Sequence, residues 1–332
     1  MSETLIDVKG LKVYFDLSAG FIEDIFMPSK KKVVKAVDGV DINLRRGEIL
    51  SLVGESGSGK TTTGKAILQL VPLREGEILY DGDKLDLNDK AQTSAFRRKA
   101  QMIFQDPYQS LNPRHNILDI VAEALDVNRL AKNYDERVTR VAQALSDVGL
   151  TPPEDFFFRY PYELSGGQRQ RVVIAGAMIM DPDMIVADEP VSMLDASIRT
   201  GILKLMLDLR EKRGLSYLFI THDLSLAWLI SDRIAIMYLG RIMEIGSAEQ
   251  IIKNGLHPYT RALTTVMPLL GKRNEDREIL KGETPNPSEV IQGCKFSSRC
   301  PEVKERCTME MPELRECGPE HMVACHFVDV AE

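Results

Sequence analysis

The residues with the clearest chemical potential are Gly54, Glu55, Ser56, Gly57, Ser58, Gly59, Lys60, Thr61 and Thr62, which meet the pattern G-x-x-x-x-G-K-[ST] at every defined position. Glycines at these places let successive backbone N–H groups turn inward on one anion. A helix starting near Gly59 would add the positive end of its dipole. Lys60 could then reach the outer phosphate oxygens, and the Thr61 hydroxyl is a ligand for Mg²⁺. A second group is the acidic pair Asp188-Glu189, which closes the apolar run Met184-Ile185-Val186-Ala187. A buried strand ending in two carboxylates puts them at the edge where open α/β sheets bind ligands. Asp188 can hold the Mg²⁺ shell, and Glu189, one residue on, can polarise an attacking water as general base. Taken alone, an apolar run ending in Asp-Glu is equally the start of a capped helix; beside a phosphate loop it reads as chemistry.

The third group is five cysteines, Cys294, Cys300, Cys307, Cys317 and Cys325, with none before residue 294. The N-terminus MSETLIDVKG has no basic or apolar signal region, so the chain is expected in a reducing compartment, where clustered thiols bind metal more often than they pair. Their spacing is C-x5-C-x6-C-x9-C-x7-C, with no C-x2-C interval of the zinc-knuckle kind. Four thiolates satisfy a cubane [4Fe–4S] cluster. Structural zinc and unligated thiols are the alternative readings, with His321 and His326 as reserve ligands.

Stepping outward along the chain, Glu48 to Val53 reads as a short buried strand running straight into the Gly-rich turn, and helix formers follow it. That order, strand then turn then helix, is the one a phosphate loop requires. Residues 4–15 and 33–44 alternate as strands, separated by an irregular insertion ending in Lys30-Lys31-Lys32, which reads as a solvated loop or else a lipid-headgroup or partner contact. Asn112 to Ala177 has apolar residues at helical spacing, interrupted by a stretch of prolines and aromatics. From Met184 the chain alternates strand and helix again and ends that run in a hairpin, RIAIMYLGRIMEIG. Beyond Met267 proline, glycine, glutamate and cysteine rise, which suggests a separate tail.

Composition narrows the classes. The 332 residues carry 42 basic and 49 acidic side chains, 44% hydrophobic residues and a formal charge of -7. At roughly 150 residues per domain this is about two domains, globular rather than disordered. The longest near-apolar run, Val172 to Met180, is far short of the roughly 20 residues a membrane span needs. An acidic chain is also a poor candidate for sequence-independent binding to nucleic acid.

Leu164-Ser165-Gly166-Gly167-Gln168 makes a further resemblance specific, because it looks like the signature sequence of ATP-binding cassette (ABC) ATPases. Other motifs follow in the family's order. Gln105 resembles the Q-loop glutamine, Ser192-Met193-Leu194-Asp195 the D-loop, and His222 the switch histidine. Phe15 or Tyr14 is placed like the aromatic that stacks on adenine. LSGGQ is in its own right a second Gly-rich turn at a helix start. The stretches Gln105 to Pro113 and His257 to Leu263, with the cysteine tail, resemble the ATP-binding subunits of oligopeptide/dipeptide importers. The departure is Met193, where the D-loop usually has alanine; Asp195 is kept. With Cys317 set aside, C-x5-C-x6-C-x17-C resembles the subfamily's [4Fe–4S] motif, formed here by Cys294, Cys300, Cys307 and Cys325.

The resemblance implies an α/β P-loop NTPase cassette over residues 1–267, with a mixed sheet core, an antiparallel β subdomain and a helical subdomain at about 112–177. A small Cys-rich module would follow at 268–332. It implies ATP and Mg²⁺ as ligands and hydrolysis of ATP at a head-to-tail dimer interface. There the signature residues 164–168 and Asp195 act on the partner's nucleotide. The implied partners are a second ATPase subunit, commonly a non-identical sibling, two membrane permease subunits and an extracytoplasmic solute-binding protein. The chain would sit on the cytoplasmic face of the membrane, with the groove around Gln105 to Asn112 receiving a coupling helix. The competing class is an ABC ATPase acting on ribosomes or DNA. Those chains usually carry two cassettes or a long coiled coil, and this sequence shows neither.

Overall fold

The structure is a computed structural model that describes residues 3–17, 32–86, 88–265, 267, 282, 284–286, 289 and 291–328. The insertion at 18–31, with Lys30 and Lys31, and residues 268–281, where the sequence places a boundary, lie outside the described residues. The strands are β1 (Thr4–Leu17), β2 (Lys32–Arg45), β3 (Ile49–Val53), β4 (Glu75–Tyr80), β5 (Asp83–Lys84), β6 (Ala100–Ile103), β7 (Met184–Asp188), β8 (Ser216–Thr221), β9 (Arg233–Tyr238), β10 (Arg241–Ser247), β11 (Arg315–Gly318) and β12 (His321–Val323). The chain divides into two compact units. One comprises Arg45–Glu48 and Asp86–Phe219 with Glu3; the other comprises Thr4–Leu44, Ile49–Leu85 and the described residues from Ile220 onward.

The unit drawn from both ends of the sequence holds the antiparallel sheet β2-β1-β4-β5. Strand β1 pairs with β4 through Ile6↔Tyr80 and Val8↔Ile78, and its register shifts between Lys9 and Lys12. Gly10, at φ 58°, sits in that shift, and its amide donates to Asp41 Oδ1 at 2.7 Å. The extra residue moves the inward set from Ile6 and Val8 to Leu11 and Val13, all of which are buried. A bulge is what keeps both halves of the strand facing the core, since strand side chains alternate strictly.

The same unit contains the strand run β11-β12-β10-β9-β3. Strand β3 is parallel to β9, from Leu50↔Arg233 to Val53↔Ile236, whereas β9, β10, β12 and β11 pair antiparallel, so the sheet is mixed. All five residues of β3 are buried, which explains its unbroken apolar reading.

The residues after 290 do not form a core of their own. Strand β12 pairs with β10 through Glu244↔Val323 and Ile245↔Met322. Phe296, fully buried, packs at 5.5 Å from the Tyr238 ring and 5.2 Å from the Tyr259 ring. Cys294 and Cys307 join the same cluster as Ile236, Tyr238, Ile251 and Tyr259. A tail this poor in large apolar residues gains its order by adding to an existing core, not by building a second one.

In the other unit β8, β7 and β6 are neighbours, β6 and β7 parallel. Helix Gly166–Met178 packs against helices Ile117–Asn128 and Tyr134–Asp147, and Val172, Val121, Leu125, Val141 and Leu145 on these helices are fully buried. Arg137 ties the last two helices by pairing with Asp119 at 2.8 Å and Asp126 at 2.9 Å. Among the described residues no helix is long and apolar enough to cross a membrane.

Candidate functional site

The Gly-rich turn leaves β3 and enters helix Lys60–Ile67 as the sequence predicts. Two of its glycines are forced by close backbone approach. A Cβ on Gly54 would lie 2.1 Å from the Met237 carbonyl oxygen, and one on Gly59, at φ 102°, would lie 2.1 Å from that of Ala36. The loop is further pinned by Gly240 N–H donating to Ser58 O at 2.8 Å. Helix Lys60–Ile67 starts at Gly59 with no side-chain cap, so its dipole end is not answered by a side-chain oxygen there. Lys60 is buried, and its Nζ donates to Gly54 O at 2.7 Å and Glu55 O at 2.8 Å, with Ser58 Oγ at 3.4 Å. The loop thus folds back on the Lys60 ammonium through the carbonyls of Gly54 and Glu55.

The two aromatic candidates, Tyr14 and Phe15, differ. The Tyr14 hydroxyl donates to Asp38 at 2.6 Å, while the Phe15 ring is 40% exposed. Burial and the Asp38 carboxylate push the Tyr14 phenol up and keep it protonated. Burial alone would raise Asp38, but the Tyr14 hydroxyl and the positive charges of Arg241 and Lys295 outweigh it and hold the carboxyl below its ordinary range. His222 follows β8 as an exposed residue; next to it Asp223 caps helix Leu224–Ile230 by accepting from Ser225 N at 2.9 Å and Leu226 N at 3.3 Å.

The second unit carries the acidic pair. Asp188 ends β7 buried, and Glu189 turns away with φ 46°. Gln105, past the end of β6, donates Nε2 to Glu189 Oε2 at 3.1 Å, so two residues predicted separately are brought together. Ser165 caps helix Gly166–Met178 in a reciprocal box: its Oγ accepts from Gln168 N at 3.3 Å, and Gln168 Oε1 accepts from Ser165 N at 2.9 Å. A Cβ on Gly167 would lie 2.7 Å from Ile198 Cγ2, so a larger residue there would force Ile198 to shift. Leu164 is buried, and Arg169 stacks its guanidinium over Tyr108 at 4.3 Å. Asp195, exposed, precedes helix Ala196–Arg213 and makes no side-chain cap bond.

The cysteines are free thiols. Cys294, Cys300, Cys307 and Cys325 line one cavity with Phe296, and Cys317 is not part of that lining. Cys317 Sγ instead contacts Arg315 O at 3.6 Å. Burial pushes the Cys294 thiol up to about 11 and raises Cys300 as well. Among the described residues, however, no group of three or more His, Cys, Asp or Glu side chains is placed to hold a metal ion. The reserve ligands are otherwise engaged: His321 Nε2 pairs with Glu244 at 2.6 Å, and His326 Nε2 lies 3.0 Å from Glu310 O.

Sequence reasoning missed the partners that the tail supplies to Glu55 of the Gly-rich turn and to Asp38 of β2. Arg299 Nη1 reaches both Glu55 carboxylate oxygens, at 3.1 and 2.9 Å, and Lys295 Nζ lies 3.6 Å from Asp38. No local signal could have revealed pairs so distant along the chain.

Residues 37–192 match the ABC transporter family, and residues 243–307 match the oligopeptide/dipeptide transporter C-terminal region. The chain is 43% identical over 329 residues to the oligopeptide transport ATP-binding protein AppF of Bacillus subtilis, covering 98% of each. It is 42% identical to the dipeptide transport ATP-binding protein DppF of Haemophilus influenzae, covering 98% of this chain and 97% of that one. Among solved structures, a dimeric ATP-binding cassette in a post-hydrolysis state with ADP and Pi aligns with a TM-score of 0.62 at 29% identity, covering 74% of this chain and 99% of that one. With such identity along nearly its whole length, the chain belongs to the ABC transporter ATP-binding proteins of the oligopeptide/dipeptide type.

Proposed function

We propose that the chain is the ATP-hydrolysing subunit of an importer for oligopeptides or dipeptides, or for related oligosaccharide or nickel solutes, working on the cytoplasmic face of a cell membrane. The hydrolytic part of this reading is carried by one observation, the Gly-rich turn between β3 and helix Lys60–Ile67 whose Gly54 and Glu55 carbonyls gather on the Lys60 ammonium. The transport part is supported by relatives named for oligopeptide and dipeptide transport.

On this reading the amides of residues 54–62 cradle the phosphates, and Lys60 exchanges loop carbonyls for outer phosphate oxygens. Phe15 stacks on adenine, with Tyr14 held aside by Asp38. Thr61, Gln105 and Asp188 would hold Mg²⁺, whose chemistry is to neutralise charge on the phosphate oxygens. Glu189 orients a water for in-line attack and accepts its proton, and His222 donates to the terminal phosphoryl group. Leu164, Ser165, Gly166, Gly167, Gln168 and Asp195 serve the nucleotide of a second, sibling ATPase subunit. The remaining partners are two permease subunits and an extracytoplasmic solute-binding protein; nucleic acid is not among them.

The working parts divide into a cassette through residue 267, with its helical insertion at about 112–177, and an appended segment from 268. In that segment Cys294, Cys300, Cys307 and Cys325 would hold a [4Fe–4S] cluster. A single tetrahedral zinc with bonds of about 2.3 Å needs its sulfurs within about 4 Å of one another. What supports the cluster reading is that these four cysteines, and not Cys317, share one cavity. The cluster's contribution would be structural, since ATP hydrolysis needs no electron transfer.

The test is recovery of the tagged chain from membranes. Integral membrane subunits should co-purify with it and its ATPase activity, and Lys60→Ala should abolish ATP binding while leaving the complex assembled. Recovery with ribosomes or DNA would overturn the reading.

A further inference from the structure

We infer that Arg299, in the cysteine-bearing segment, is a positioning residue for the phosphate loop, acting by neutralising Glu55 beside Lys60. The inference rests on reading residues 54–62 as a nucleotide site. Glu55 faces two ways. Its carbonyl oxygen accepts from Lys60 Nζ at 2.8 Å, and its amide donates to the Tyr259 hydroxyl at 3.2 Å. Its carboxylate turns to the tail, where Arg299 Nη1 lies 3.1 and 2.9 Å from the two oxygens and the Thr284 hydroxyl donates as well.

A carboxylate in a phosphate-binding loop opposes the loop's task. It is only 25% exposed, so solvent screens it weakly, and without a counter-charge it would repel every phosphate brought to Lys60. Arg299, 7% exposed and always protonated, supplies that counter-charge. Its position is fixed from three sides. Its backbone N–H donates to Phe296 O at 3.0 Å, its Nη1 reaches the Tyr238 hydroxyl at 3.4 Å, and its guanidinium lies 5.8 Å from the Tyr238 ring centroid.

The same short turn does this twice. Lys295 stands 3.6 Å from Asp38, the carboxylate that accepts from Tyr14 at 2.6 Å. A turn bounded by Cys294 and Cys300 therefore neutralises one carboxylate at the phosphate end and another at the aromatic end of the candidate nucleotide site. The cavity that these cysteines line is thereby joined to the loop through one residue, because Cys300 directly follows Arg299.

The experiment is equilibrium binding of Mg·ATP and of AMP to the full chain, with thermal melting recorded for each variant. Arg299→Gln should weaken Mg·ATP about tenfold and AMP distinctly less, since AMP lacks the outer phosphates that Lys60, beside Glu55, would hold and so stands farther from the uncovered charge. Arg299→Lys should retain most of the affinity. The decisive variant is the pair Glu55→Gln with Arg299→Gln, which removes both charges and should return ATP affinity to within about twofold of the wild type. A contact that merely holds the fold would show no such rescue. Unchanged ATP affinity in Arg299→Gln, or a double variant that folds yet stays as weak as Arg299→Gln, would overturn the inference. Should Arg299→Gln fail to fold, Glu55→Gln alone decides: affinity at or above wild type is expected, and a tenfold loss contradicts it. A wild-type chain that binds no Mg·ATP would instead refute the nucleotide-site reading itself.

Discussion

Gln105 donates its side-chain amide to the Glu189 carboxylate at 3.1 Å, and Glu189 holds a left-handed φ of 46°. Backbone of that kind costs about 1–2 kcal/mol in a residue other than glycine and is tolerated where it aims a functional group. Ser192 secures the turn by donating its N–H and Oγ to Glu189 O at 3.2 and 3.0 Å. If the amide sets the carboxylate's direction as well as serving Mg²⁺, Gln105→Leu should lower kcat by about tenfold more than it weakens Mg·ATP binding. Single-turnover hydrolysis beside equilibrium binding separates the two. Equal loss in both would mean that the contact serves binding only.

The glycines of the loop should not behave alike. Gly59→Ala meets the Ala36 carbonyl oxygen at 2.1 Å in a left-handed conformation, whereas a Cβ on Gly57, also left-handed, meets nothing within 4 Å. Gly59→Ala should therefore lower stability by about 2–3 kcal/mol and abolish measurable ATP binding, and Gly57→Ala should lower stability by about 1 kcal/mol. Chemical denaturation of both variants checks the order.

Much of this was legible locally. The loop 54–62, the acidic pair and the capped turn 164–168 each combine residues adjacent in sequence; the loop was read from its spacing, the pair only beside the loop, and the turn through its resemblance to a family signature. Three things were not. The bulge at Gly10 depends on pairing with a distant strand. The tail reads as a separate module because its own composition cannot reveal that Phe296 enters the Tyr238–Tyr259 cluster. The Arg299–Glu55 pair joins residues 244 apart, and no local pattern encodes it.

Acid should weaken the unit that contains the phosphate loop. His257 is fully buried, and its Nδ1 accepts from Tyr259 N at 3.0 Å, which requires a neutral ring. Burial pulls it down to about 4 despite the Glu244 carboxylate nearby, with Arg261 adding to the fall. The unfolded chain takes up this proton below about 6.5, before the folded chain does, so stability is complete above that pH and falls as pH drops toward 4. The loss is roughly 3 kcal/mol over that window. Melting temperature against pH should flatten there in His257→Asn, whose amide oxygen can replace Nδ1.

The cysteines separate into four and one. Anaerobic purification should yield iron and sulfide, with Cys300→Ser losing most of both and Cys317→Ser retaining them, because Cys317 stands outside the shared cavity. One equivalent of zinc and no iron would contradict the cluster.

The central claim, that this chain hydrolyses ATP through Glu189 in a two-chain sandwich, is tested most directly by Glu189→Gln. Phosphate release and sedimentation should be measured together with Mg·ATP, using the chain with its sibling ATPase if it does not pair with itself. The variant should bind ATP with near wild-type affinity, release phosphate at least about a hundredfold more slowly and accumulate as a stable dimer. Undiminished phosphate release by Glu189→Gln would contradict the account.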